Sequence, residues 1–126
     1  SGQNPQQVIE AFRKHVKERV PADCQVEFIN HGSDPAVLVD TSLPAVKLAQ
    51  EALEETFGNP AVLMGSGGSI PIVESFKRLL GMDSLLVGFG LDDDQIHSPN
   101  EKYNLTSFQL GTEAWARILN KIAELP

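Results

Sequence analysis

The sequence predicts an α/β fold in which helices pack on a mostly parallel sheet. Two observations carry this prediction: apolar residues recur at helical spacing in four segments, and short apolar or alternating runs lie between these segments. In the second half, the order helix, strand, helix, strand, helix implies right-handed crossovers and a partly parallel sheet. Only two clear strands serve these three helices, so we expect further strands upstream in a longer parent chain.

The first predicted helix begins at Pro5 and ends at Pro21. Asn4 is placed to cap its N-terminus, because a proline is favoured in the first helical position directly after the cap. Residues 24–29 then alternate between apolar and polar side chains. This alternation predicts a half-exposed strand.

A polar loop separates this first part from the rest of the chain. Residues 30–42 contain Gly, Pro, Asp and Ser and are the best candidate for a domain boundary. Within them, residues 37–39 fit either a short strand or a segment packed under the loop. Residues 43–57 predict an amphipathic helix, and Gly58 is suited to end it.

The second half predicts two buried strands and two helices. Residues 61–64 and 85–89 are short apolar runs, the pattern of strands that are covered on both faces. A helix at residues 72–80 lies between them. The last helix is predicted to start with a capping box formed by Thr106 and Gln109.

The composition excludes several classes of protein. The chain has 126 residues, of which 41% are hydrophobic and 21% charged, as expected for one globular domain or a piece of a larger enzyme. Its net charge of -7 argues against a nucleic-acid or anionic-membrane partner. No apolar run approaches the roughly 20 residues that span a bilayer. One cysteine and a polar N-terminus without signal-peptide character lead us to expect a cytoplasmic protein.

A glycine-rich turn at residues 65–69 joins a predicted strand to a predicted helix. Strand ends and helix N-termini in α/β proteins bind anions, and glycines let the backbone approach a ligand closely. The turn is neither a Walker A loop nor a dinucleotide fingerprint, because no Gly-Lys-Ser/Thr follows and Ile70 occupies the third glycine position. The residues alone leave open a ligand site and a turn that only caps the helix.

His97 lies in the polar loop at residues 90–104, after the second apolar run. A lone histidine in such a loop is more often a surface residue, although a position beyond a central strand favours a functional role. Asp92–Asp94 lack the spacing of a calcium loop, so we interpret them as solvated. Glu54 and Glu55 point about 100° apart on a helix and are interpreted as surface. No residue set completes a nucleophile–base arrangement, so no catalytic residue is assigned.

Taken together, the two loops resemble a known family. Gly67-Gly68-Ser69-Ile70-Pro71 and His97-Ser98-Pro99-Asn100-Glu101-Lys102 resemble the C-terminal end of the co-catalytic zinc metallopeptidases. This family includes carnosine dipeptidase, aminoacylase, acetylornithine deacetylase, succinyl-diaminopimelate desuccinylase and carboxypeptidase G. The resemblance implies that residues 33–126 are the C-terminal part of a three-layer catalytic domain. It also implies that residues 1–32 are half of an α+β lid, or dimerisation, domain.

The resemblance assigns roles to individual residues. It implies that His97 ligates one of two zinc ions in the full-length parent. Ser69 would contact the substrate carboxylate, with the N–H groups near Gly67 and Gly68 beside it. Glu101 would orient the loop that carries His97, since metal-binding histidines usually need such support.

The implied function is a fragment of a zinc-dependent hydrolase that cleaves the amide bond of dipeptides or N-acyl amino acids. The family's His-x-Asp motif, its Glu-Glu pair and its lid arginine and histidine are expected upstream of Ser1. The fragment is therefore expected to be inactive and to bind no zinc by itself. Its implied partners are the missing N-terminal part of the same enzyme and a second copy, through the lid. Gly65-Ser66 replaces the Arg-Glu of many dipeptidases, which leaves the substrate class open.

Two other functions stay open at this point. The chain can be a non-catalytic structural or assembly fragment of a larger protein. It can also be a small α/β domain that binds phosphate or carboxylate at the glycine-rich turn without a metal. The latter function leaves the His97 loop unexplained.

Overall fold

The computed structural model describes residues 2–66 and 70–125, in which four α-helices are the main elements. In chain order they are α1 (Pro5–Lys17), α2 (Pro44–Phe57), α3 (Ile72–Ser75) and α4 (Leu105–Ile122). Helix α3 continues directly into a π-helical turn at Phe76–Leu80, and a 3-10 turn at Asp92–Asp94 precedes α4. No helix within the described ranges is long and apolar enough to cross a membrane.

The predicted α/β class is wrong for this structure, as are the predicted three-layer domain and the α+β half-domain before it. No residue within 2–66 or 70–125 lies in a β-strand. Residues 24–29, 61–64 and 85–89 have the composition of strands, but a strand is stable only when a neighbour completes its hydrogen-bond ladder. Without such a neighbour the apolar side chains of residues 62–64 stay accessible: Val62 is 84% exposed and Met64 is 81% exposed.

The chain divides into two compact units, each described by itself. The first comprises Ser1–Val39 and Gly67–Ser84, and the second comprises Asp40–Ser66 and Leu85–Pro126. The proposed domains at residues 1–32 and 33–126 stay a prediction, because these two compact units do not test where the domains of a larger protein begin and end.

Helix α1 organises the first part of the first unit. The Asn4 side chain accepts hydrogen bonds from the N–H groups of Gln6 at 2.9 Å and Gln7 at 3.3 Å, which confirms the predicted N-cap. The ring of Phe12 meets the ring of Phe28 edge-on, with centroids 6.2 Å apart. No residue of α1 is buried, so this aromatic pair is part of an open cluster and not of a closed core.

The core of the second unit lies between α2 and α4. Ala49 and Ala52 on α2 and Ile118 on α4 are buried together, with at most 5% of any of them exposed. The two alanines are small, so the helix backbones can approach closely where Ile118 packs with them. This contact sets the position of α4 and of the loop that leads into it.

Two basic side chains of α4 form ion pairs with α2 at the surface. Lys121 Nζ lies 2.9 Å from a carboxylate oxygen of Glu55 and 3.6 Å from one of Glu51. Arg117 lies 3.6 Å from Glu55 and 2.7 Å from Glu113 of its own helix. We call these five residues the ion ladder. Within it, the hydrogen bond from Lys121 lowers the pKa of Glu55 and the same bond raises the pKa of Lys121.

The run at residues 85–89 packs on this core from one side only. Leu85 and Val87 contact the Ala49–Ile118 cluster. Leu86, between them, is 63% exposed. The predicted cover on both faces of this run is therefore wrong, because the run has one covered side and one open side.

Candidate functional site

The predicted substrate-binding residues Gly67, Gly68 and Ser69 lie outside the described residues. Their role stays a prediction. After the turn, the Val73 N–H donates to the Ile70 carbonyl at 3.0 Å, and α3 begins at Ile72.

His97, the predicted metal ligand, lies near the middle of an exposed loop between the 3-10 turn and α4. Two turns of backbone build this loop. The Ser98 N–H donates to the Gln95 carbonyl at 2.9 Å, and the Glu101 N–H donates to the Ser98 carbonyl at 3.2 Å. The predicted orienting residue, Glu101, is thus linked through its backbone to the residue that follows His97.

The loop contains three non-glycine residues in the left-handed region of backbone space. Their φ angles are 53° for Gln95, 62° for His97 and 63° for Asn100. This conformation is unfavourable for Gln95 and less so for His97 and Asn100, because histidine and asparagine adopt it more often than other residues with a Cβ. The three angles give the loop a defined shape.

Asp94 anchors this loop. Its side chain is 1% exposed, although it lies in a polar segment. One carboxylate oxygen accepts the Leu91 N–H at 2.7 Å, and the other accepts a hydrogen bond from Lys102 Nζ at 2.9 Å. In addition, the Lys102 N–H donates to the Asp94 carbonyl at 3.0 Å. Asp94 and Lys102 are thereby joined twice, and they close residues 94–102 into a loop with His97 inside it.

The two charges of this closure stabilise each other. The Leu91 N–H and then the Lys102 ammonium hold the pKa of Asp94 below its usual value. The hydrogen bonds to Asp94 and then to Asp93 raise the pKa of Lys102. Near neutral pH the carboxylate is therefore ionised and the lysine is protonated, which is the pairing that a buried carboxylate requires.

The interpretation of Asp92–Asp94 as a solvated acidic loop is correct for two residues and wrong for the third. Asp92 is exposed and the Asp93 side chain is 75% exposed. Asp94 is buried because it occupies the third position of the 3-10 turn, from which its side chain reaches back to the Leu91 N–H. An acid three residues after the start of a turn is a known capping signal, and it was available in the sequence.

The remaining acidic candidates differ in their surroundings. Glu54 and Glu55 are both exposed, as predicted, and Glu55 also belongs to the ion ladder. Glu101 is exposed, and no side-chain hydrogen bond or ion pair of its carboxylate occurs within the ranges the structure covers. Its role as an orienting residue stays a prediction.

The described residues do not complete a metal centre. Across 2–66 and 70–125, no group of three or more His, Cys, Asp or Glu side chains is arranged to hold a metal ion. A catalytic zinc ion takes about three protein ligands and keeps one position open. His97 is exposed and offers one imidazole, so a zinc site that includes it needs ligands from elsewhere.

Comparison with known proteins places these loops in a family. Residues 2–121 match the peptidase family M20/M25/M40. The chain is 33% identical to the Cys-Gly metallodipeptidase of Saccharomyces cerevisiae over 84% of its own length and 22% of that protein. It is 31% identical to the Beta-Ala-His dipeptidase of Homo sapiens over 61% of its length and 15% of that protein. No solved structure gives a significant match.

The chain spans at most 22% of the length of these curated relatives. The match nevertheless extends over almost the whole chain and includes both loops on which the resemblance rests. The resemblance is thereby confirmed: the chain belongs to the peptidase family M20/M25/M40.

Proposed function

We propose that the chain is the C-terminal part of a zinc-dependent hydrolase that cleaves the amide bond of dipeptides or N-acyl amino acids. The observation that carries this proposal is the 33% identity to a Cys-Gly metallodipeptidase over 84% of the chain. A second relative is a Beta-Ala-His dipeptidase, so the similarity favours dipeptides over N-acyl amino acids. A cytoplasmic location and a homodimer formed through the lid stay predictions.

In the complete protein, His97 would supply one imidazole to a zinc site whose other ligands lie outside this chain. The exposed position of His97 supports this role, because the imidazole is accessible to groups beyond the described residues. Ser69 and the N–H groups near Gly67 and Gly68 would bind the substrate carboxylate. Bound zinc would lower the pKa of a water molecule and polarise the scissile carbonyl.

Two substitutions in the full-length protein test these roles. His97→Ala should weaken zinc binding and abolish most turnover while the fold is kept, because the imidazole is exposed and fills no core. Ser69→Ala should instead raise KM, since it removes one hydrogen bond to a charged group, worth about 1–3 kcal/mol. His31→Ala, at another exposed histidine, is the control and should change neither property. Normal zinc content and turnover in His97→Ala would refute the assignment of this loop.

The isolated chain should be inactive. It offers one candidate metal ligand from the family's set, and no metal-binding cluster occurs in the part that the structure describes. The purified chain with added zinc should hydrolyse neither Cys-Gly, nor β-Ala-His, nor N-acetyl amino acids above background. Zinc-stimulated hydrolysis by the chain alone would show that it carries a complete site.

A further inference from the structure

The loop with His97 is closed at its base by a buried carboxylate and a lysine that the proposed function does not use. We propose that Asp94 and Lys102 are positioning residues, which hold His97 in the backbone geometry that metal binding requires. This inference rests on the proposed function, because it takes His97 to be a ligand. Its physical basis is the double connection between Asp94 and Lys102, through the side chains at 2.9 Å and the backbone at 3.0 Å.

The closure limits the shapes that the loop can take. A double connection at the two ends of residues 94–102 reduces the conformational freedom of the residues between them. Gln95, His97 and Asn100 lie in the left-handed region within this closed loop. Without the closure, the loop would sample more backbone conformations, and the imidazole of His97 would move with it.

Asp94 is buried and depends on its hydrogen-bond donors. Among three adjacent aspartates, only Asp94 lies out of water, and both of its oxygens have hydrogen-bond donors. A carboxylate in such a place is stable only while its donors remain, because an unpaired buried charge is strongly unfavourable. Asp94 and Lys102 therefore act as one unit, and loss of either partner should open the loop.

The loop also contacts the chain that leads into it. A Cβ atom on Gly90 would lie 3.1 Å from Ile96 Cδ1 and 3.8 Å from a carboxylate oxygen of Asp94. The loop thus folds back over Gly90, with the exposed side chain of Ile96 at the closest point. A metal ligand must be held within about 0.5 Å of its productive position, and the paired carboxylate of Asp94 supplies the buried part of this support for His97.

The experiment uses the zinc-loaded full-length protein with substitutions at three positions. Asp94→Asn and Lys102→Gln break the charge pair, and Lys102→Arg keeps a positive donor. Asp92→Asn is the matched control, because it removes the same charge from the same turn at an exposed residue. Zinc affinity is measured by competition with a chelator, together with kcat, KM and the thermal midpoint.

We expect Asp94→Asn and Lys102→Gln to lower zinc affinity and kcat by about 10- to 100-fold, as for other residues that support metal ligands. KM should change by less than about twofold, because the substrate carboxylate is bound elsewhere. Lys102→Arg should keep most of the zinc affinity that Lys102→Gln loses. Asp92→Asn should resemble the unsubstituted protein in zinc affinity and kcat. Lys102 is partly exposed, so Lys102→Gln tests the idea even where Asp94→Asn fails to fold.

Two outcomes separate this inference from the proposed function. In the first, Asp94→Asn and Lys102→Gln lower the thermal midpoint but leave zinc affinity and kcat unchanged. The pair would then be only structural, and this result would overturn the inference. If His97→Ala also keeps its zinc, the proposed function fails as well. If His97→Ala loses zinc while both pair variants keep it, the proposed function stands and the positioning role is refuted.

Discussion

Gly111 of α4 lies against the ring of Phe89: a Cβ atom at position 111 would be 2.8 Å from Phe89 Cδ2. Phe89 in turn stacks on Phe57 of α2, with ring centroids 5.7 Å apart and planes inclined by 17°. The ring is thus held from two directions and cannot yield easily. A glycine in the interior of α4 is explained by this close approach.

Gly111→Ala should therefore destabilise the chain despite the better helix propensity of alanine. The propensity gain is about 1 kcal/mol, whereas overpacking against a held ring costs about 1–3 kcal/mol. Urea denaturation of the purified chain measures the difference. Gly88→Ala is the control, because no atom lies within 4 Å of its added Cβ, and its effect should stay within about 0.5 kcal/mol. A stabilised Gly111→Ala would contradict the contact with Phe89.

Ile118→Ala should destabilise the second unit strongly. Ile118 is 1% exposed and is buried together with Ala49 and Ala52, two small residues that cannot expand to replace it. Removing such a side chain typically costs about 2–5 kcal/mol. Leu119→Ala, one position along the same helix and 62% exposed, should cost far less, about 0.5 kcal/mol. Equal losses of unfolding free energy in the two variants would show that the α2–α4 contact is not the core.

Asn104→Ala should shorten or weaken α4 at its start. The Asn104 side chain accepts the N–H groups of Thr106 at 2.9 Å and Ser107 at 3.3 Å, so the change removes an N-cap worth about 1 kcal/mol. Asn120→Ala, at an exposed position near the end of α4, is the control and should be neutral or slightly stabilising. Circular dichroism and urea denaturation read out both effects. Unchanged stability in Asn104→Ala would mean that another group caps the helix.

The stability of the chain should fall in acid partly because of Asp94. The Leu91 N–H and then the Lys102 ammonium keep the pKa of Asp94 below its usual 3.8 in the folded state. The contribution of Asp94 to stability is therefore present above the pKa that this carboxyl has in the unfolded chain. It is lost as the pH falls through the lower pKa of the folded state. At neutral pH, Asp94→Asn should have a lower free energy of unfolding than the unsubstituted chain. The difference between the two free energies should become smaller below about pH 4. A pH-independent difference would contradict this linkage.

The helices could be predicted because their signals are local. Asn4 caps α1, and Gly58 ends α2 with a φ of 72°, both as expected. Gly81, with a φ of 64°, ends the helical segment that starts at Ile72, although its second part is π-helical. The capping box expected at Thr106 was wrong by two residues, because Asn104 is the N-cap and its side chain accepts from the N–H groups of Thr106 and Ser107.

The strands could not be predicted correctly because their stability is not local. The apolar run at residues 85–89 predicts cover on both faces, whereas Leu85 and Val87 contact a core and Leu86 is exposed. The run does not indicate whether another strand is present to accept the backbone hydrogen bonds. Within the ranges that the structure describes, none is, so the apolar run packs without a ladder.

The contacts that hold the candidate site could be predicted only in part. His97 was predicted as a metal ligand from its loop, which lies within the family match, and that role stays a prediction. The partnership of Asp94 with Lys102 was missed because the two residues lie eight positions apart and only the folded turn brings them together. The first half of that arrangement, the bond to the Leu91 N–H, follows a three-residue spacing and was open to prediction.

The ion ladder between α2 and α4 makes the response of this acidic chain to salt two-sided. Because the net charge is -7, counterions that screen the repulsion among the carboxylates stabilise the folded chain. The same ions weaken the attraction of Lys121 and Arg117 for Glu55, which helps to hold the helices together. Stability should thus pass through a maximum at moderate ionic strength, where repulsion is already screened and the attraction between the helices still persists.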